Sequence, residues 1–196
     1  MPGLPAIRGF VCKTILDAAR SLPEDQQRRI FMDIPPATLA LLESTPRLGW
    51  VPMPESMWLT DALHLTLGNP GFRHFFSLLA EHLVSAPLLQ SLFDGAVRLL
   101  GLTPQAMLKW STYAWEQAFR DCGRLIYRPI RDTPSHGRVE MILEDFPPLL
   151  HRGGTFAEAL AATFEMFLRR VSKKGRVELR PMQPHTNRLV CDVSWE

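Results

Sequence analysis

Six histidines, twenty acidic residues and three cysteines are the groups in this chain that could support acid–base, nucleophilic or metal chemistry. Their spacing argues against each. His64, His74 and His82 fall on adjacent predicted helices. His74 and His82 stand just over two turns apart, so they share a helix face but cannot both reach one metal. Asp61 and Glu81 are the only carboxylates placed to join them. His136, His151 and His185 fall in predicted loops, and nothing in their spacing brings them together. Glu144 and Asp145 are neighbours at a strand end, where successive side chains diverge, so they form no acid–base pair. Cys12, Cys122 and Cys191 are distant, odd in number and without C-x-x-C spacing, which argues against a disulfide framework or a zinc site. Buried thiols in a reducing cytosol are expected instead. No G-x-G-x-x-G, phosphate-loop lysine, G-x-S-x-G or H-E-x-x-H occurs. Gly153 and Gly154 precede a helix start, where an anion could sit, but no lysine is placed for phosphate. The chain is expected not to be an enzyme, and to need neither metal nor cofactor.

What remains is aromatic. Trp50, Trp58, Trp110 and Trp115 lie in the first two thirds of the chain, and Trp195 closes the last strand. Core packing is their expected role. A cavity lined by these four indoles, with Tyr127, Arg128 and Arg131 at its rim, is the expected place for a small apolar ligand. Arg169, Arg170, Lys173, Lys174, Arg176 and Arg180 make a basic patch. It lacks interleaved aromatics for base stacking, so it is expected to be a solvated face and nucleic acid is not an expected partner.

The element that organises the rest is a predicted helix over Thr155–Ser172. Thr155 and Glu158 have the spacing of a capping box. Phe156, Leu160, Phe164, Phe167, Leu168 and Val171 recur at helical spacing on one stripe. Lys173 and Lys174 suit the negative end of the dipole, and Gly175 suits the stop. Period-two alternation over 176–180, 188–195 and 138–143 predicts half-buried antiparallel strands. Residues 124–130 predict a fourth strand, placed at an edge by Pro129. The expectation is a β-β-α-β-β unit over 124–196, with the three phenylalanines buried on its sheet.

Residues 1–123 are predicted to be a helical lobe. Helices are expected over 7–19, from Ser21 to about Asp33, and from Pro36 to Glu43, followed by a proline-rich loop over 45–55 anchored by Trp50. Further helices are expected from Ser56, from Asn69-Pro70, over 87–100, and from Thr103-Pro104 to Cys122. The whole reads as an α+β protein, one compact domain of two parts.

At 196 residues and 46% hydrophobic content, disorder is excluded. The net charge of +2 predicts neither strong nucleic-acid binding nor strong membrane attraction. Charges interrupt the N-terminus and the apolar region 72–97, so neither a signal peptide nor a membrane span is expected. A cytoplasmic protein follows.

Several short motifs, Ile7-Arg8-Gly9, Gly49-Trp50-Val51-Pro52, Asp145-Phe146-Pro147 and Val193-Ser194-Trp195, resemble a large myxobacterial paralogous family of unknown function. More distantly, helices followed by β-β-α-β-β are similar to the haem–nitric-oxide-binding and 4-vinyl-reductase-like sensor domains. The haem sensors hold the haem propionates with Tyr-x-Ser-x-Arg. Here Tyr127-Arg128-Pro129-Ile130-Arg131 keeps the Tyr and Arg with Pro in place of Ser, and residues 95–122 contain no proximal histidine. The leading expectation is a regulatory or signalling module that binds a small apolar ligand or a protein partner. The alternatives are a haem or tetrapyrrole sensor, a homodimerising interaction module joined through the sheet edge or the basic helix end, and an enzyme with a scattered site.

Overall fold

The computed structural model describes residues 3–84, 90, 103–133, 136–171, 174–181 and 186–196. The N-terminal part runs as strand β1 (Ala6–Arg8), helices α1 (Gly9–Ala19), α2 (Glu24–Met32) and α3 (Pro36–Ser44), strand β2 (Trp50–Pro52), helices α4 (Met53–Val84) and α5 (Pro104–Ala118), and strand β3 (Phe119–Arg120). Pro36 and Pro104 occupy first-turn positions, where the missing N–H costs nothing. Thr103 Oγ1 accepts the Ala106 N–H at 3.2 Å, which is the expected cap.

Other helix starts differ from expectation. Ser21 donates back to the Asp17 carbonyl, and α2 begins at Glu24. α4 begins at Met53, and Ser56 donates to the Met53 carbonyl inside it. The two helices expected either side of Asn69 are present as the two arms of α4, separated by a non-helical Gly68 whose φ is +63°. The helix expected over 87–100 lies outside the described residues.

The proline-rich loop expected over 45–55 contains β2. β2, β1 and β3 form a small antiparallel sheet in that order, with Ile7 opposite Val51 on one side and Phe119 on the other. Strands of two or three residues are too short to show an alternation. Gly9 marks the tightest approach, since a Cβ there would stand 2.2 Å from the Pro46 carbonyl oxygen. α5 therefore stops at Ala118, short of Cys122, because Phe119 and Arg120 leave the helix to pair with β1.

Residues beyond Gly123 give β4 (Arg124–Asp132), β5 (Gly137–Glu144), a 3-10 turn (Pro148–Gly154), α6 (Thr155–Val171), β6 (Gly175–Leu179) and β7 (Arg188–Trp195). The four strands form one antiparallel sheet, ordered β4-β5-β7-β6, and the fold is α+β as expected. Pro129 lies on edge strand β4 beside a bulge. β7 buries Leu189, Cys191, Val193 and Trp195 in strict alternation. Trp195 stands in register between Gly137 and Gly175, and a Cβ on Gly137 would stand 2.0 Å from its ring. On the opposite face, buried Glu140 accepts from Arg128 and, at 2.5 Å, from Arg180.

α6 departs from the capping box. The 3-10 turn runs into the helix, so Thr155 already has helical φ and ψ of −59° and −40°. Its buried hydroxyl donates to Asp61 Oδ1 at 2.6 Å, because a charged acceptor from α4 outcompetes a local backbone group. Glu158 meets Arg73 of α4 at 3.2 Å, and Arg73 also holds Glu165 at 2.7 Å. The phenylalanines differ too. Phe156, Phe164 and Phe167 are buried, but Phe167 meets Trp110 edge-on at 5.9 Å and Phe156 meets Trp115 at 6.0 Å. Leu168 instead packs under Gly175 of the sheet. α6 is thus wedged between the two parts of the chain, and one core extends from Ile7 to Trp195.

Candidate functional site

Three helical stripes face one another around a gap. α4 offers Met53, Ser56, Met57 and Thr60 from its first arm, and Phe76, Leu79 and Ala80 from its second. α5 offers Trp110, Ser111, Ala114, Trp115 and Ala118, and α6 offers Phe156, Ala159, Leu160, Thr163, Phe164 and Phe167. Steps of three and four residues on each helix put these side chains on single faces. Phe10, Val11 and Ile15 of α1 close one wall, and Leu125 of β4 closes another. The cavity is partly open and its volume is about 160 Å³. Small residues keep it open: Ala80, Ala114, Ala118 and Ala159 stand where larger side chains would fill it.

None of the described lining residues is ionisable at neutral pH. The hydroxyls are not nucleophiles, since no base accompanies them. Each donates to a carbonyl of its own helix: Ser56 to Met53 at 3.0 Å, Thr60 to Ser56 at 3.2 Å, Ser111 to Leu108 at 2.7 Å and Thr163 to Ala159 at 3.0 Å. The Trp115 indole N–H goes to the Gly123 carbonyl at 3.0 Å. The arrangement can bind and desolvate an apolar body. It holds no group to transform one.

Of the expected site residues, Trp110 and Trp115 line this cavity and the others do not. Trp50 lies on β2, with the Arg8 guanidinium 3.9 Å and that of Arg120 4.8 Å from its ring centroid. Its register opposite Arg8 fixes it there. Trp58 is 49% exposed on α4, off the stripe of Met53, Met57 and Thr60. Tyr127 packs against the core under the Lys109 ammonium, 5.0 Å from its ring. Arg128 alternates to the opposite face of the sheet and pairs with Glu140. Beyond the bulge, Arg131 faces a second, basic concavity of about 640 Å³, shared with His136, Arg138, Lys174 and Arg176. The expected rim is therefore corrected: Leu125 reaches the cavity from β4, and the strand's period of two carries Arg128 away. Sequence reasoning missed Ser56, Thr60, Ser111 and Thr163. Their signal was available, as hydroxyls at helical spacing on otherwise apolar stripes.

The described histidines form no shared site. His64 Nε2 lies 2.6 Å from Asn69 Oδ1, and His82 Nδ1 lies 2.9 Å from the Leu78 carbonyl. Among the described residues no cluster of His, Cys, Asp and Glu could hold a metal ion. Cys12, Cys122 and Cys191 are buried free thiols, each pushed up to about 12 chiefly by desolvation. No helix among the described residues is long and apolar enough to cross a membrane.

The lining also tests a haem. Iron in a haem protein takes a histidine, thiolate, tyrosinate or methionine with a partner ligand, and the propionates need cations. Among the described lining residues the cavity supplies two thioethers, Met53 and Met57, but no imidazole, thiolate or phenolate, and no lysine or arginine. Residues 85–102, outside the described part but for residue 90, contain no His, Cys or Tyr, and one cation, Arg98. The donor set does not fit a haem in this cavity.

No protein-family model matches the chain, and no curated protein does. The myxobacterial resemblance thus rests on its short motifs alone. Solved structures do match. An Fe(II) unliganded H-NOX protein from K. algicida aligns at TM-score 0.63 and 10% identity, over 97% of each chain. A mutant of that protein aligns equally well. A third structure, described under haem redox potential and porphyrin distortion, aligns at TM-score 0.55 and 14% identity, over 96% of this chain and 98% of that one. From β1 to β7, this chain has the fold of the H-NOX proteins.

Proposed function

We propose that this chain is a cytoplasmic, non-enzymatic sensory module that holds a small apolar ligand between α4, α5 and α6. One observation carries the reading: a cavity of about 160 Å³, whose described walls are mainly aromatic and aliphatic side chains without ionisable groups, sits in the helical part of the fold. An apolar cavity of about 150 Å³ in another protein stays dry and binds benzene, so this size suits one or two small rings. Burial of such a ligand exchanges cavity surface and ligand surface for contact, at roughly 25 cal/mol per Å². α6 is the natural reporter, because it lines the cavity and is tied to α4 through Thr155–Asp61 and Arg73. Native mass spectrometry of the purified protein, with and without added indole, tests the reading. A copurified small molecule, or a one-to-one indole adduct lost in an Ala114→Leu variant, supports it. No adduct with any small aromatic counts decisively against it.

A second reading is a haem sensor, favoured by the likeness in fold to an H-NOX protein and its mutant, both solved in the Fe(II) form. The lining argues against it, for want of a strong axial ligand. Titration with haemin under reducing conditions separates the two. A sharp Soret band in stoichiometric proportion would favour haem. A featureless broad band, displaced by washing, would favour the small apolar ligand.

A further inference from the structure

The four hydroxyls in the cavity wall share a hydrogen-bond pattern with a chemical consequence. A serine or threonine hydroxyl has one proton to donate and two lone pairs to accept with. In Ser56, Thr60, Ser111 and Thr163 the proton is spent on a carbonyl three or four residues back in the same helix, at 2.7 to 3.2 Å. What each can turn toward the cavity is lone pairs. The Trp115 indole proton is likewise spent, on the Gly123 carbonyl, and the Nε1 of Trp110 offers no accessible surface to the cavity. Among the described residues, the hydroxyls of the cavity wall therefore present acceptors and not donors. None of the described lining residues is a cation that could offset a buried anion, and an ionised carboxylate without one is strongly disfavoured.

We infer that the ligand class is a neutral, apolar molecule that carries its own O–H or N–H donor, such as a phenol, an indole or a short alkanol, and that carboxylates and acceptor-only isosteres are discriminated against. This rests on the proposal that the cavity is a binding site, and it adds the chemistry of what enters. Three helices contribute acceptors, with Ser56 and Thr60 one turn apart on α4, Ser111 on α5 and Thr163 on α6. A ligand donor thus meets an acceptor in more than one orientation. The outcome is preference by class, not recognition of a single compound.

Isosteric pairs of probes test this on the full chain. Indole and benzofuran have nearly the same shape, and only indole has a donor. Phenol and benzoate contrast a neutral donor with an anion. Dissociation constants come from calorimetry or ligand-detected NMR at neutral pH. Indole is expected to bind about two- to tenfold more tightly than benzofuran, the ratio one net hydrogen bond supplies. Benzoate is expected to show no binding where phenol binds. The combined Thr60→Val and Ser111→Ala substitutions should bring the indole-to-benzofuran ratio close to one. Equal binding of indole and benzofuran in the unsubstituted protein, or benzoate binding as tightly as phenol, overturns the inference while leaving the cavity as a binding site. Failure of all four probes overturns both, and a folding check by circular dichroism assigns any loss seen only in the double variant. A ratio that survives both substitutions overturns the assignment to these hydroxyls.

Discussion

Ala114→Leu gives the sharpest test of whether the space between α4, α5 and α6 is empty. Ala114 lies on the wall of the cavity, in the same stripe as Trp110 and Ala118. The substitution adds three carbons. At about 0.8 kcal/mol per buried methylene, the transfer gain approaches 2.4 kcal/mol. Fixing a leucine rotamer costs about 0.5 to 1 kcal/mol of that. A net stabilisation near 1.5 kcal/mol follows if the methyls enter open space. With a urea slope of about 2 kcal/mol/M, the unfolding midpoint should rise by about 0.7 M at unchanged slope. A filled wall predicts the opposite sign, because overpacking a core costs about 1 to 3 kcal/mol. Equilibrium urea unfolding followed by tryptophan fluorescence reads the difference. A midpoint that falls would refute the cavity and, with it, the binding-site proposal. The rise should also be accompanied by loss of indole binding, since ligand and leucine compete for one volume.

Other consequences are open to simple measurement. Arg73→Ala removes both ion pairs that join α4 to α6, each between groups about a quarter to a third exposed, and should lower stability by roughly 1 kcal/mol by urea unfolding; a double-mutant cycle with Glu165→Gln should show a coupling of a few tenths of a kcal/mol or more. Arg180 donates to Asp192 and holds its carboxyl below the ordinary value of 3.8. The stability this group contributes is present above that value and is lost as pH falls through the depressed one, so Asp192→Asn should flatten the urea midpoint against pH below 3.8. The three thiols should resist a thiol-reactive dye in the native state, because burial pushes each up to about 12, and should all react once urea unfolds the chain. Gly137→Ala drives a methyl into the Trp195 ring, and should cost at least 1 kcal/mol in the same unfolding assay.

Long periodic elements were legible in the sequence, because their own burial pattern dictates them. β7 reads off the alternation of Leu189, Cys191, Val193 and Trp195, and Pro129 marks its strand as an edge before any coordinates. The cap at Thr103 is local chemistry and was also legible. The capping box at Thr155 was not, because its hydroxyl and Glu158 answer to residues of α4, more than 80 positions away in the chain. β1, β2 and β3 carry no readable pattern at two or three residues each, and exist because Gly9 lets the chain pass close to Pro46. For the site, Trp110 and Trp115 could be placed in a helical stripe, but only pairing with Arg8 tells Trp50 to leave it. The side on which Arg128 emerges is set by strand register, which a single segment does not reveal. The acceptor character of the wall needed the observed hydroxyl partners, since a serine in a sequence declares neither its proton nor its lone pairs.

Both arms of α4 contribute wall to the same chamber, and they are joined at one torsion. Residues 53–60 form one side and residues 76–80 another, with Gly68 between them at φ +63°. Nothing lies within 4 Å of where its Cβ would be, so the demand for glycine there is torsional and not steric. Contacts span that joint: His64 Nε2 lies 2.6 Å from Asn69 Oδ1 and its ring meets Phe72 at 5.0 Å, while Asp61 of the first arm and Arg73 of the second both hold α6. A guest that spreads or draws in the arms works against a joint, while each arm keeps its own helical hydrogen bonds.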